Sequence, residues 1–228
     1  MKNLDGKDLV TIIPLRQGSK GLPGKNIMKL SSKPLYMHAV EQGLKFSDRV
    51  ILSTNIKQIR DAKLPDRCSI CWRPSSLAGD KTPMKEVISH TIKKESLENA
   101  CIILLQSTSP LRSEEDIRKC KELFNTGEYD LVMSVVKKDN KVLKYGLLER
   151  NTFTPLSDPD FCFYNRQDLP PSYGPNGAIY IMDARKFMIE ENFPSKKIGA
   201  VKMPPSRSHD IDSLKDFLMV EKLFTEHH

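Results

Sequence analysis

Apolar and polar positions along the chain follow two rhythms, and the switches between them mark most of its elements. Residues 10–15 are a short apolar, β-branched run, and Pro34-Leu35 opens a segment whose Met37, Val40 and Leu44 recur at helical spacing. The same reading predicts strands over 49–53, 68–72 and 100–105, with helices over 57–62 and 84–95 between them. A helix over about 113–124 and a strand over 130–136 continue the series. Strands and helices taken in turn imply parallel strands joined by right-handed helical crossovers, so the expected fold is a Rossmann-like α/β domain, mainly parallel, with helices on both faces. In such a sheet ligands sit beyond the carboxyl ends of the strands, where the loops over 16–26 and 106–112 emerge.

From Lys137 to Tyr173 the rhythm breaks into charged, turn-rich sequence that ends near the aromatic run Phe161-Cys162-Phe163-Tyr164. This segment, 137–173, is expected to be an insertion, and its aromatic cluster favours a subunit interface over a solvated flap. Beyond it the pattern gives a strand over 177–182, a helix over 184–191, a strand over 200–203 and a closing helix over 213–224. The whole chain, 1–228, is therefore expected to form one domain with a small inserted arm.

At 228 residues and 39% hydrophobic content a sizeable core is available. The net charge of +7 admits a nucleic-acid-binding module, but the basic residues are spread along the chain among acidic ones, and aromatics are only 7%. Anionic small substrates explain the excess equally well. An odd number of cysteines, five, with neither signal peptide nor membrane-length apolar run, points to a reducing cytoplasm and no membrane. Cys68 and Cys71 have the spacing of half a zinc site, but no second pair follows, so they read as strand residues. The closing Glu226-His227-His228 resembles the remnant of a purification tag.

The densest chemistry lies directly after the first strand. Gly18, Gly21 and Gly24 permit backbone angles closed to other residues, so N–H groups can turn toward an anion, while Arg16, Lys20 and Lys25 add positive charge. A Walker-type loop is excluded: counting back from Gly24 lands on Ser19, and Asn26 stands where a hydroxyl is needed. Ser53-Thr54-Asn55 reads as a helix cap, and Asp80 as either a ligand contact or the cap of the helix near Thr82. Arg73, at the end of the third strand, is placed to read a base edge. Gln106 to Arg112 holds more hydroxyl, amide and guanidinium groups than a cap needs, which favours binding. The proline-stiffened run from Asn165 to Gly177 is expected to touch ligand. Asp210 and Asp212, alternate residues of an extended segment, can present two carboxylates to one hard cation, although Asp212 also stands where the last helix needs its cap.

In order, these segments resemble the acylneuraminate cytidylyltransferases, which activate nine-carbon keto-sugar acids with CTP. The resemblance runs from Val10 to Phe217. It implies a triphosphate loop with Arg16, Gly18, Ser19, Lys20 and Lys25 at the phosphates and Asn26 near the cytidine, and a cytosine-selecting segment from Arg73 to Asp80. It further implies a sugar pocket with Gln106, Thr108 and Ser109, closed by Arg166 and Tyr173, and magnesium on Asp210 and Asp212. Arg16, Lys25 and Asp212 are the implied catalytic residues. The implied assembly is a homodimer whose arm, 137–173, brings Lys141, Lys144 or Arg166 to the neighbour's site. Trp72, Ser107, Gln17 and Pro83-Met84 depart from the family's usual residues; Ser107 stands in place of a proline. Transfer of CMP to the eight-carbon acid of lipopolysaccharide cores is the nearest alternative, and the sequence leaves open which nine-carbon acid is used.

Overall fold

The computed structural model describes residues 6–226; His227 and His228 of the tag-like terminus lie outside them. The chain runs through β1 (Leu9–Leu15), a glycine-rich loop, the hairpin of β2 (Lys29–Leu30) and β3 (Lys33–Pro34), and α1 (Leu35–Phe46). Then come β4 (Arg49–Thr54), α2 (Lys57–Arg60), β5 (Cys68–Trp72), α3 (Met84–Lys94), β6 (Cys101–Leu105), α4 (Glu114–Phe124) and β7 (Leu131–Lys138). An arm containing β8 (Gly146–Glu149) and β9 (Thr152–Pro155) precedes β10 (Ser172–Asp183), α5 (Ala184–Glu190), β11 (Ile198–Met203) and α6 (Leu214–Glu226).

Seven strands form one sheet in the order β11-β7-β10-β6-β1-β4-β5. β1 is covered on both faces, and its alternate residues divide between two cores. Leu9, Ile13 and Leu15 pack with Ala39 and Val40 of α1 and with Ile117 and Cys120 of α4. Val10 and Ile12 pack with Ile88 and Ile92 of α3 and Phe187 of α5. That near-continuous burial, rather than a polar face, is what a strand sandwiched between helical layers requires.

The sheet departs from the expected parallel pattern at one strand. β10 is antiparallel to both β6 and β7, whereas β1 pairs in parallel with β4 and β6, β4 with β5, and β7 with β11. The reason lies in the connection: only short 3-10 turns and a hairpin, and no α-helix, separate β7 from β10, so the chain returns beside β7 without a helical crossover. β10 also starts at Ser172, and β7 continues to Lys138, so both ends of the expected insertion are strand. Within the arm, β8 and β9 form a separate two-stranded hairpin that the sequence pattern does not reveal, since its short strands are largely exposed and lack alternation.

A third, smaller core matters most for function. Leu22 of the glycine loop, Leu30 and Leu35 pack with Ile211, Phe217 and Val220, joining the loop after β1 to the segment that enters α6. That segment is anchored from below by Arg207, whose guanidinium makes two 2.9 Å bonds to the Asp116 carboxylate, inside the Ser113–Asp116 capping box of α4. Burial alone would raise the Asp116 pKa, but the bonds from Arg207 and Ser113 outweigh it and hold the carboxyl below the usual range. A depressed folded-state pKa gives stability that is complete above the unfolded value and lost as pH falls through the folded one. Asp116→Asn is therefore expected to lower the unfolding free energy by about 1.5–3 kcal/mol at neutral pH. Thermal melts taken down to about pH 3 should show the gap to the parent closing.

Candidate active site

Two loops meet beyond the carboxyl end of β1, and one glycine lets them do so. Gly18 and Gly24 adopt left-handed backbone, with φ of 82° and 73°. Gly21 does not; a Cβ on it would lie 2.2 Å from the main-chain oxygen of Asp212. The three glycines thus serve two purposes, and the expectation that all three provide unusual angles is corrected at Gly21, where the need is close backbone approach. Beside that contact Lys25, only 9% exposed, donates from Nζ to Ile211 O at 2.5 Å and to Asp212 Oδ1 at 3.0 Å.

The start of the loop is held from the neighbouring strands. Asn55 Oδ1 accepts the Gln17 N–H at 2.8 Å, while α2 has Ile56 at its N-cap and no side-chain cap. Asn55 is a loop anchor rather than the helix cap its position suggested. Asp80 pairs with Arg16 and, at 3.2 Å, with Lys20. The Arg16 bond, then the Lys20 bond, keep its carboxyl below the usual range. Since α3 begins after Pro83 without a side-chain cap, Asp80 has no capping role. Asn26 Nδ2 donates to Arg16 O at 3.1 Å, and its Oδ1 accepts from Ser107 Oγ at 2.7 Å.

The two carboxylates ahead of α6 divide their duties differently from the expectation. Ser213 and Asp216 cap the helix: Asp216 Oδ2 accepts the Ser213 N–H at 2.8 Å, and Ser213 Oγ accepts the Asp216 N–H at 3.3 Å. The Asp212 side chain, 77% exposed, is left out of the cap. Asp210 has an exposed surface but a dense protein neighbourhood, and loss of solvation raises its pKa; a hydrogen bond with Thr108 opposes this and the Asp212 charge adds to it. Two carboxylates that repel one another, fixed in a hard-oxygen setting, suit a divalent cation. Among the described residues no group of three or more His, Cys, Asp or Glu gathers to hold a metal. A cation here would take two protein carboxylates and complete its shell from substrate and water, which is magnesium's habit.

The loop after β6 supplies the third wall. Ile211 N–H donates to Thr108 O at 2.9 Å, so Ser107 touches the glycine loop and Thr108 touches the aspartate segment. Gln106 lies against Gly177, whose φ of 77° calls for glycine. The rest of that loop is structural. Arg112 is 2% exposed, donates to Gln106 O, Ala178 O and Gln42 Oε1, and is drawn by burial down to about 9, still charged at neutral pH. Ser109 is fully buried, and its Oγ has no hydrogen-bond partner. Arg73 also turns inward: 4% exposed and pulled by burial to about 10, it donates to Ser53 O at 2.6 Å and ties strand ends together. All three residues are buried where ligand contacts were expected; for Arg73 and Arg112 the reason is that strand ends rich in main-chain carbonyls need internal donors, whereas the Ser109 hydroxyl meets no protein partner.

The run from Asn165 to Gly177 splits in two. Asn176 is a buried knot, accepting from Ser134 Oγ at 2.6 Å and donating to Ser208 Oγ at 3.0 Å, and so fixes the approach to Asp210. Arg166 and Tyr173 stay on the arm side: Arg166 pairs with Asp139 at 3.5 Å, and the Tyr173 ring faces Lys202. Neither hydrogen-bonds to the glycine loop, to the loop after β6 or to the aspartate pair. Ser134 and Ser208 escaped the sequence reading, and Asn55 was read only as a cap, because strand order alone brings them to the site. No helix among the described residues is long and apolar enough to cross a membrane.

A basic loop at a strand end, packed against a carboxylate pair, is an arrangement that suits nucleotide phosphates and a counter-cation in an α/β fold. The chain is a member of the cytidylyltransferase family, whose sequence profile, described as Cytidylyltransferase, matches residues 10–217. It is 33% identical over 223 residues to the N-acylneuraminate cytidylyltransferase of Streptococcus agalactiae, covering 92% of this chain and 52% of that protein. The chain thus spans about half the length of that relative. It is 31% identical over 223 residues to the CMP-N,N'-diacetyllegionaminic acid synthase of Legionella pneumophila, covering 94% and 95% of the two chains. A solved CMP:2-keto-3-deoxy-manno-octonic acid synthetase complexed with CTP shares the fold, with a TM-score of 0.71 at 15% identity over 97% of this chain and all of that one.

Proposed function

We propose that this chain transfers CMP from CTP to the anomeric hydroxyl of a nine-carbon 2-keto-3-deoxy sugar acid and releases pyrophosphate. The observation that carries the reading is the seam between the glycine loop and the aspartate segment, where Lys25 bonds both Ile211 O and Asp212 Oδ1. Basic groups for a triphosphate and carboxylates for its counter-cation are then within one hydrogen bond of each other. The names of the relatives, sialic and legionaminic acid activators, support the acceptor class.

In this reading Arg16 and Lys20 exchange Asp80 for the β- and γ-phosphates, since a triphosphate offers them more charge than one carboxylate. Lys25 stays in place and neutralises the charge that gathers on the departing pyrophosphate. Its two protein bonds fix its direction in advance, which is where electrostatic catalysis gains most. Asp210 and Asp212 would hold magnesium, which when bound would screen phosphate charge and make the acceptor hydroxyl more acidic. Gln106 and Thr108 orient the sugar, and no side chain forms a covalent intermediate, because placement and charge neutralisation suffice for phosphoryl chemistry.

The same reading makes the molecule a homodimer built through the arm. Leu147, Leu148, Phe153, Leu156 and Phe163 are exposed there, Phe163 by 89%, a concentration of apolar surface suited to a second copy. Arg166 and Tyr173, distant in bonding from their own site, then serve the neighbour's. Pyrophosphate release with CTP and a panel of N-acetylneuraminic, legionaminic-type and pseudaminic-type acids tests the activity, with ATP, GTP and UTP as controls. Turnover is expected with CTP and at least one acid. No release with any acid would overturn the reading, and equal rates with all four nucleotides would remove base selection from the segment between Arg73 and Asp80.

A further inference from the structure

Ser107 stands where the resembled family commonly has proline, and the structure gives its hydroxyl a specific task. It is 3% exposed and donates to Asn26 Oδ1 at 2.7 Å, across 81 positions of sequence. Asn26 is 5% exposed, and its Nδ2 donates to Arg16 O at 3.1 Å. A carboxamide has two donor protons on nitrogen and acceptor sites on oxygen. The Arg16 carbonyl, which carries no proton, forbids the flipped amide, and Ser107 fills the oxygen side. What Asn26 then retains is a second Nδ2 proton in a fixed direction. Proline at position 107 has no hydroxyl and could not make this bond, so the amide would be held at one end only.

We propose that Ser107 is a positioning residue for the nucleotide, acting through Asn26: it locks the amide so that its remaining N–H meets an acceptor atom of the bound cytidine. This rests on the reading of the glycine loop as the CTP site. The lock lies between the loop after β1 and the loop after β6, one residue before Thr108 binds the aspartate segment. It therefore aligns the nucleoside end of CTP with the wall that holds the acceptor and the cation. Ser107 touches no reacting atom, so its effect falls on nucleotide affinity rather than on the chemical step.

The experiment is a double-mutant cycle on the full chain, with Ser107→Ala, Asn26→Ala and the pair assayed for KM of CTP, kcat and melting temperature. Ser107→Ala is expected to raise KM for CTP about five- to tenfold, the loss of one buried hydrogen bond, with kcat within about twofold of the parent. In the Asn26→Ala background the same change is expected to add nothing, because its effect passes through that amide. An unchanged KM in Ser107→Ala, a lower melting temperature with no KM effect, or full additivity in the pair overturns the inference while Asn26→Ala still raises KM. If Asn26→Ala leaves KM for CTP unchanged, the reading of the loop as the CTP site fails, and the inference fails with it.

Discussion

Asp212→Ala is expected to abolish CTP-dependent turnover, by at least about a thousandfold, while the fold survives. The carboxylate is exposed and takes no part in the cap of α6, which Ser213 and Asp216 complete without it. Its removal takes one bond from the buried Lys25, worth about 1.5–3 kcal/mol for a charged group, while the bond to Ile211 O remains. On the proposed mechanism it takes from the site one of two cation ligands, and it removes one of the two oxygens that Lys25 bonds. Asp216→Ala gives a contrasting result: loss of the cap and of the bond from the Asp212 N–H lowers stability by about 1 kcal/mol, while both carboxylates at 210 and 212 remain and turnover falls far less. Pyrophosphate release and thermal melts on the two variants separate the roles. Parental turnover in Asp212→Ala would sink the assignment of the cation to this pair.

Much of this architecture was legible in the sequence because each strand of the first half carries its own pattern. Burial on both faces writes an apolar run such as residues 9–15, and helical spacing marks α1 and α3 beside it. The direction of β10 was not legible in that way: its residues look alike whether it runs with its neighbours or against them, and only the connection decides. The candidate site divides along similar lines. Arg16, Lys20, Lys25, Asp210 and Asp212 stand out as candidates because charge next to glycine or in alternation is a local signal. Arg73, Ser109 and Arg112 carry the same kind of local signal but are buried, since nothing in a short segment tells whether a polar group meets ligand or a neighbouring carbonyl. Asn55 shows the converse. Its bond to Gln17 depends on β4 lying beside β1, a fact of the sheet and not of either segment.

Gly21→Ala is expected to lower turnover by about a hundredfold, and Gly24→Ala by far less, although both glycines belong to the same loop. At Gly24 the φ of 73° strains any other residue, but a Cβ there meets nothing within 4 Å. The cost is the left-handed penalty of about 1–2 kcal/mol, which falls on stability. At Gly21 a Cβ, fixed by its own backbone, would stand 2.2 Å from the Asp212 main-chain oxygen, so no side-chain rotation relieves it. The loop and the aspartate segment must move apart, and a misplacement of about 1 Å between reacting groups is worth about a hundredfold in rate. The shared core of Leu22, Ile211 and Phe217 keeps the two segments attached, so the variant stays folded with its site opened. Single-turnover rates with saturating CTP, beside melts of both variants, check the contrast. A Gly21→Ala enzyme with the parental rate would mean that the seam between the two loops does not set the geometry of the reaction.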